Sequence, residues 1–317
     1  MNENAVKQIF ITGTGEYLDE LLAEGLGGVI FFSKDITSEA GFKSLIKSVR
    51  SKSHKVPFLA IDQEGGRVER TENIYPKRLS ARDAYQKGEE FLISQTTKMA
   101  NELANFGINL NFAPVADVNT NPENPIIGER AFSDNAEDVI KGVDIVSKIY
   151  KSAGICPCVK HYPGHGDAAI DSHKALPKIE LSLEEMRNIH LKPFVNASQN
   201  GIPMVMVAHL DCSCFGESGI PTSLSKKAID YLREEIGFKG VIITDDMNMG
   251  GVTDIPPLDA AVKAVKAGVD ILLYRDSNLL TYNLISEFCE YVKEDDELKS
   301  AVENSIERIT ELKSQLI

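Results

Sequence analysis

Short apolar runs recur along this chain. Each is followed by a polar loop and then by a stretch whose apolar positions return every three or four residues. The runs fall at 8–12, 28–32, 57–61, 108–112, 155–159, 203–207, 240–243 and 271–274. They predict strands, and the stretches between them predict amphipathic helices. Helices are expected at about 38–53, 80–106, 133–152, 182–199, 225–236 and 259–267. Ser133 is expected as an N-cap, and Ser182-Leu183-Glu184-Glu185 has the layout of a capping box. Residues 279–316 read as two charged amphipathic helices.

Eight strands alternating with helices predict a parallel sheet. Eight such units predict an α/β fold, a single (β/α)8 TIM-type barrel spanning 1–317 with extra C-terminal helices. The rival is an open, doubly wound sheet that binds a dinucleotide. Gly13-Thr14-Gly15 lacks the third glycine of that turn.

The polar residues at the strand ends favour the barrel more than the strand count does. Asp62, Asn111, Lys160, His161, His209, Asp245 and Arg275 each fall at the C-terminal end of an expected strand. In a barrel these ends share one face, where active sites of this fold lie. The densest stretch is Lys160 to His173. It holds Lys160-His161-Tyr162-Pro163-Gly164-His165-Gly166-Asp167 and Asp171-Ser172-His173, with three of the six histidines of the chain. A glycine- and proline-rich loop carrying reactive groups from the end of an apolar strand fits a catalytic segment.

Composition narrows the function. The net charge of -13 argues against a nucleic-acid partner and against docking on an anionic membrane. No apolar run reaches the length of a membrane span. The start, Met1 to Lys7, lacks the basic-then-apolar layout of a signal peptide, so a cytoplasmic location is expected. The five cysteines, at 156, 158, 212, 214 and 289, lack zinc-knuckle spacing and are expected to be reduced thiols. His54 and His190, in helical stretches, are expected at the surface.

These motifs carry a resemblance. The chain resembles the single-domain β-N-acetylhexosaminidase branch of the family three glycoside hydrolases. The likeness rests on Asp62-Gln63-Glu64-Gly65-Gly66-Arg67-Val68, Asn111-Phe112-Ala113-Pro114-Val115, Gly128-Glu129-Arg130, Lys160 to Asp167, Asp171-Ser172-His173 and Thr244-Asp245-Asp246-Met247. Tyr162, Thr244 and Glu129 depart from the commoner Phe, Ser and Asp without removing a reactive group. With few residues after the eighth strand, the second domain of larger members is expected to be absent.

The resemblance implies a retaining exo-β-N-acetylglucosaminidase acting on peptidoglycan or muropeptide fragments. It makes Asp245 the nucleophile, although periodicity alone leaves Asp245 and Asp246 open, with Asp246 suited to capping the next segment. It makes His173 the acid/base, held by Asp171. Asp62, Arg70, Arg130, Lys160 and His161 would bind the sugar. His165 is expected to structure its loop, His209 to lie in or behind the pocket, and Asp117 and the Glu64 region to support loops. No cofactor and no metal are expected, and the partner is a small carbohydrate met by a monomer. The alternatives are a phosphorolytic variant, a metal-dependent hydrolase on the same barrel, and a silent sugar-binding protein.

Overall fold

The computed structural model describes residues 2–169 and 176–316. Eight parallel strands close into a barrel: β1 (Phe10–Gly13), β2 (Gly28–Phe31), β3 (Phe58–Ile61), β4 (Leu110–Asn111), β5 (Cys156–Tyr162), β7 (Met204–Val207), β9 (Val241–Asp246) and β10 (Ile271–Tyr274). The ladder runs in chain order from β1 to β10, and β10 returns to β1 through Phe10 opposite Leu272. Nearly every strand residue is buried, as continuous apolar runs require when helices cover the outside and side chains fill the inside. Two further strands, β6 (Lys178–Ile179) and β8 (Asp211–Cys212), pair with each other outside the barrel. Periodicity does not reveal them, because two residues have no measurable period.

The helices form where their apolar spacing and caps direct. Ser38 accepts the N–H of Gly41 and opens the helix Glu39–Lys52, which buries Phe42, Ile46 and Val49 on one face. The Phe42 ring meets Phe31 edge-on at 5.3 Å and Phe106 at 4.9 Å, joining strand, helix and next helix.

Four expectations are corrected. The helix expected over 80–106 is two, Ala81–Gln86 and Glu89–Phe106, parted at Gly88 with φ of 102°. The helix expected from Ser133 starts at Ala136, because the Asn135 side chain caps it. The stretch 182–199 splits into Leu183–Asn188, opened by the expected capping box, and Lys192–Gln199. The helix Lys226–Asp230 passes into a π-type turn, Tyr231–Glu235. Strands β5 and β9 also run three residues further than their apolar runs. Lys160, His161, Asp245 and Asp246 therefore sit on strands rather than in loops.

The helix Asp296–Ser314 crosses the end of the barrel away from those residues. Its Lys313 is buried, donates to Gln8 Oε1 at 2.9 Å and to the Gly27 carbonyl at 2.8 Å, and lies 4.8 Å over the Phe58 ring. Burial pushes its pKa down to about 7.

Candidate functional site

The C-terminal strand ends surround a cavity of about 230 Å³. That is below the roughly 300–1,000 Å³ of a drug-sized pocket and suits a single ring. Its floor is a charge network. Lys160 Nζ lies 2.6 Å from Asp62 Oδ1 and 2.6 Å from Glu64 Oε1. Arg130 donates from Nε and Nη2 to the two Glu64 oxygens, each at 2.8 Å. Arg70 Nη2 lies 3.7 Å from Asp62 Oδ2, and its guanidinium sits over the Phe32 ring. Such forked, charge-assisted bonds are the strong kind. Burial opposes the Glu64 charge, but Arg130 and Lys160 overcome it and hold the carboxyl far below the usual range. Burial likewise opposes the Lys160 charge, and Asp62 and Glu64 reverse that.

Backbone geometry delivers these groups. Beyond β3 the chain turns at Gly65 and Gly66, with φ of 97° and 60°. A Cβ on Gly65 would meet the Leu79 carbonyl at 2.4 Å, so the turn accepts glycine there. Asn111 clamps the turn, accepting the Gln63 N–H at 2.9 Å and donating to its carbonyl at 3.0 Å. Between Val159 and Tyr162 the pairing of β5 with β7 slips in register. Such a slip re-aims side chains, and the consecutive Lys160 and His161 both line the cavity.

Behind the floor, buried Asp117 holds two histidines. Its Oδ2 lies 2.7 Å from His161 Nδ1, and its Oδ1 accepts the His165 N–H at 2.6 Å. Burial works against the Asp117 charge, yet His161 and His165 keep its pKa below the ordinary value. Burial pushes His165 down to about 4, so its imidazole is neutral near pH 7. His165 also lends its carbonyl to Asn124 at 2.8 Å, the loop-building role expected of it.

The two adjacent aspartates of β9 have different surroundings. Asp245 lines the cavity. Burial would raise its carboxyl, but His161, His209, the Asp246 N–H and Lys160 together hold it below the usual value. An ionised carboxylate facing the floor can act as a nucleophile or stabilise a cation. Asp246 is raised by burial, caps the next turn through the Asn248 N–H at 3.0 Å, and ion-pairs with Arg275 at 2.7 Å. His209 lies buried behind β9, between Ser223 Oγ at 2.7 Å and the Asp246 carbonyl at 3.1 Å.

Asp62, Arg70, Arg130, Lys160, His161 and Asp245 thus meet around one cavity. Asp171 and His173 lie outside the described residues. Arg130, at 11% exposure, is in the network and not in a surface pair. His54 is exposed as expected. His190 is corrected: it is fully buried, with its Cβ against Gly164, and burial lowers its pKa. The helix spacing hid this, because the helix ends at Asn188 and the chain turns inward. Glu64 and His165, expected only to support loops, also line the cavity, as does Arg275, which was expected on this face but given no role. Among the described residues no three His, Cys, Asp or Glu side chains are grouped to hold a metal.

The Glycosyl hydrolase family 3 N terminal domain matches residues 5–312. The chain belongs to glycoside hydrolase family 3. Among its relatives in this family, it is 35% identical over 280 residues to a protein named beta-hexosaminidase A from Pseudoalteromonas piscicida. That match takes in 81% of this chain and 47% of the relative. A beta-hexosaminidase from Psychromonas ingrahamii is 33% identical, over 80% of this chain and 77% of its own. The structure of a family 3 β-N-acetylglucosaminidase from Paenibacillus sp. str. FPU-7 superposes with a TM-score of 0.93 at 30% identity, covering 100% of this chain and 62% of that one. A β-N-acetylhexosaminidase from Beutenbergia cavernae gives 0.92 at 25% identity, covering 99% and 98%. The family 3 chain described here therefore spans about half the length of the Pseudoalteromonas relative and under two thirds of the Paenibacillus one.

Proposed function

We propose that this chain is a retaining exo-β-N-acetylglucosaminidase, with residues 1–317 acting as one metal-free catalytic barrel. The observation that carries the reading is that Asp245, an ionised carboxylate, faces the cavity floored by Asp62, Lys160 and His161. The names of the relatives support the sugar specificity. Lys160, Arg130, Arg70 and Asp62 would take the hydroxyls of a terminal N-acetylglucosamine, and His161 would be oriented by Asp117.

In the first step Asp245 attacks C1, and the bond from C1 to the leaving oxygen breaks as that oxygen takes a proton from His173. In the second step His173 removes a proton from water, which attacks C1 and frees Asp245. Asp171 would orient His173. The natural substrates would be fragments of peptidoglycan, and the enzyme would work as a cytoplasmic monomer. The floor cations also bear on phosphorolysis: Lys160 and Arg130 are already paired with Asp62 and Glu64, which leaves little to attract a free phosphate there. Among the described residues no helix is long and apolar enough to cross a membrane.

The test is to trap the intermediate with a 2-fluoro or slow N-acetylglucosaminide and map the labelled peptide. A label on Asp245 supports the proposal. A label on another residue, or activity lost on exhaustive chelation, would overturn it.

A further inference from the structure

We infer that His209 is a positioning residue: it holds the bulge in β9 that turns Asp245 toward the sugar. The inference rests on the proposed role of Asp245 as nucleophile and goes beyond it by naming what aims that carboxylate. Ile243 lies opposite Ile271 and Asp246 opposite Leu273, so β9 carries an extra residue between these pairs. A strand with an extra residue bends and re-aims its side chains, and its ladder bonds are disrupted there. Thr244 and the turn after Asp246 supply replacements. Thr244 Oγ1 accepts the Leu273 N–H at 3.1 Å, and the Met247 N–H donates to the Leu273 carbonyl at 2.8 Å. The Asp246 N–H donates to Asp245 Oδ1 at 2.8 Å.

His209 ties this bulge to the other neighbour of β9. The ladder between β7 and β9 ends with Val207 opposite Thr244. Two residues further along each segment, His209 Nε2 lies 3.1 Å from the Asp246 carbonyl. That oxygen can only accept, so Nε2 carries the ring proton. Burial lowers the His209 pKa and keeps the ring neutral, which leaves Nδ1 to accept from Ser223 Oγ at 2.7 Å. His209 and Ser223 are both fully buried. Ser223 is fixed in turn by its neighbour: Thr222 donates its N–H to the Leu210 carbonyl and its hydroxyl to the Ala208 carbonyl. The close approach also needs Gly251, where a Cβ would meet His209 Cβ at 2.7 Å. The Asp246 carbonyl accepts the Met249 N–H as well, at 2.9 Å, but that bond lies within one turn and moves with it. The His209 bond joins the turn to the segment leaving β7. With Leu273 on one side and His209 on the other, the peptide after Asp246 is held between both neighbours of β9. This sets the direction of the Asp246 N–H toward Asp245.

The experiment measures kcat and KM on a chromogenic N-acetylglucosaminide, inhibition by free N-acetylglucosamine, and the rate at which a slow N-acetylglucosaminide labels the nucleophile. The variants are His209→Asn, His209→Gln and Ser223→Ala. An asparagine amide reaches only as far as Nδ1 and loses the Asp246 bond, whereas a glutamine amide reaches as far as Nε2 and keeps it. His209→Asn should lower kcat and the labelling rate at least about tenfold. KM and the inhibition constant should stay within about twofold, because Asp62, Arg130 and Lys160 are held by other segments. His209→Gln should recover to within about threefold of wild type, and Ser223→Ala should fall between the two. Wild-type kcat in His209→Asn overturns the inference, as does a His209→Gln variant that loses as much as His209→Asn. A loss shared equally by KM and the inhibition constant also overturns it, since that marks general disorder of the site. Should His209→Asn fail to fold, Ser223→Ala carries the test, and an unchanged kcat there overturns the inference. A wild-type label on a residue other than Asp245 is a different failure: the proposed function falls, and the inference with it.

Discussion

Replacing Glu64 by Gln removes one charge from the cavity floor and almost no volume. Glu64 accepts from Arg130 twice and from Lys160 once, all at 2.8 Å or less. The amide keeps one acceptor but turns an N–H₂ group toward these cations. Breaking a buried ion pair on one side costs about 3–5 kcal/mol. Lys160 keeps Asp62, and Arg130 keeps a 3.3 Å bond to the Ile126 carbonyl, so the lower end, about 3 kcal/mol, is expected. An unfolding entropy of about 2.1 cal/mol/K per residue turns that into a Tm lower by about 4 °C for a chain this long. Denaturant unfolding of the wild type, Glu64→Gln, Arg130→Met and the double variant should give a coupling above about 1 kcal/mol.

The pH dependence has a fixed sign. The folded-state pKa of Glu64 is depressed, so its contribution is complete above the unfolded value of about 4.3 and is lost as pH falls toward the folded one. The gap between wild type and Glu64→Gln should be level from about pH 5 to 8 and narrow below about pH 4. A gap under about 1 kcal/mol at pH 7, or one that widens in acid, refutes the picture of a floor held together by this carboxylate.

At the opposite end of the barrel, Lys313 has a folded pKa near 7, well under its unfolded value of about 10.4, so the unfolded chain binds more protons between them. Wild-type stability should rise relative to Lys313→Met as pH climbs from about 7 to 9, by at most about 1.4 kcal/mol per unit, and chemical denaturation across that range checks it. Gly166→Ala would place a Cβ 1.8 Å from the Val118 carbonyl. The loop must shift, costing about 1–3 kcal/mol and lowering turnover of a chromogenic N-acetylglucosaminide; a variant with wild-type Tm and rate counts against that tight packing.

Much of the architecture was legible because the strand runs are unbroken and six of the eight carry a charged or polar residue at or just beyond their C-terminal end. Asp62, Lys160 and Asp245 could be placed around one cavity before any coordinates, since a closed ring of parallel strands leaves those ends no other face. Other features depend on contacts that no local pattern carries. Gly88 splits a helix whose apolar spacing continues across it. Asn135 outcompetes Ser133 as a cap by reaching two backbone N–H groups. Glu64 reads as a turn residue beside Gly65, and only its approach to Arg130, 66 positions away, reveals its place in the floor. His190 looks like a helix-surface residue until the chain is seen to break after Asn188. The separation of Asp245 from Asp246 lies between these cases: both are at a strand end, and Arg275 and the Asn248 N–H claim the second.

The small β6–β8 pair has a consequence for any redesign of the mouth. Lys178 lies opposite Asp211, whose N–H also donates to the Pro177 carbonyl and whose Oδ1 takes the Gly219 N–H. The segment entering from β5 and the one leaving β7 are thus stitched into a single rim. Grafting a foreign loop onto either one alone would leave the other without its backbone partner. The two should be exchanged together, as one cassette.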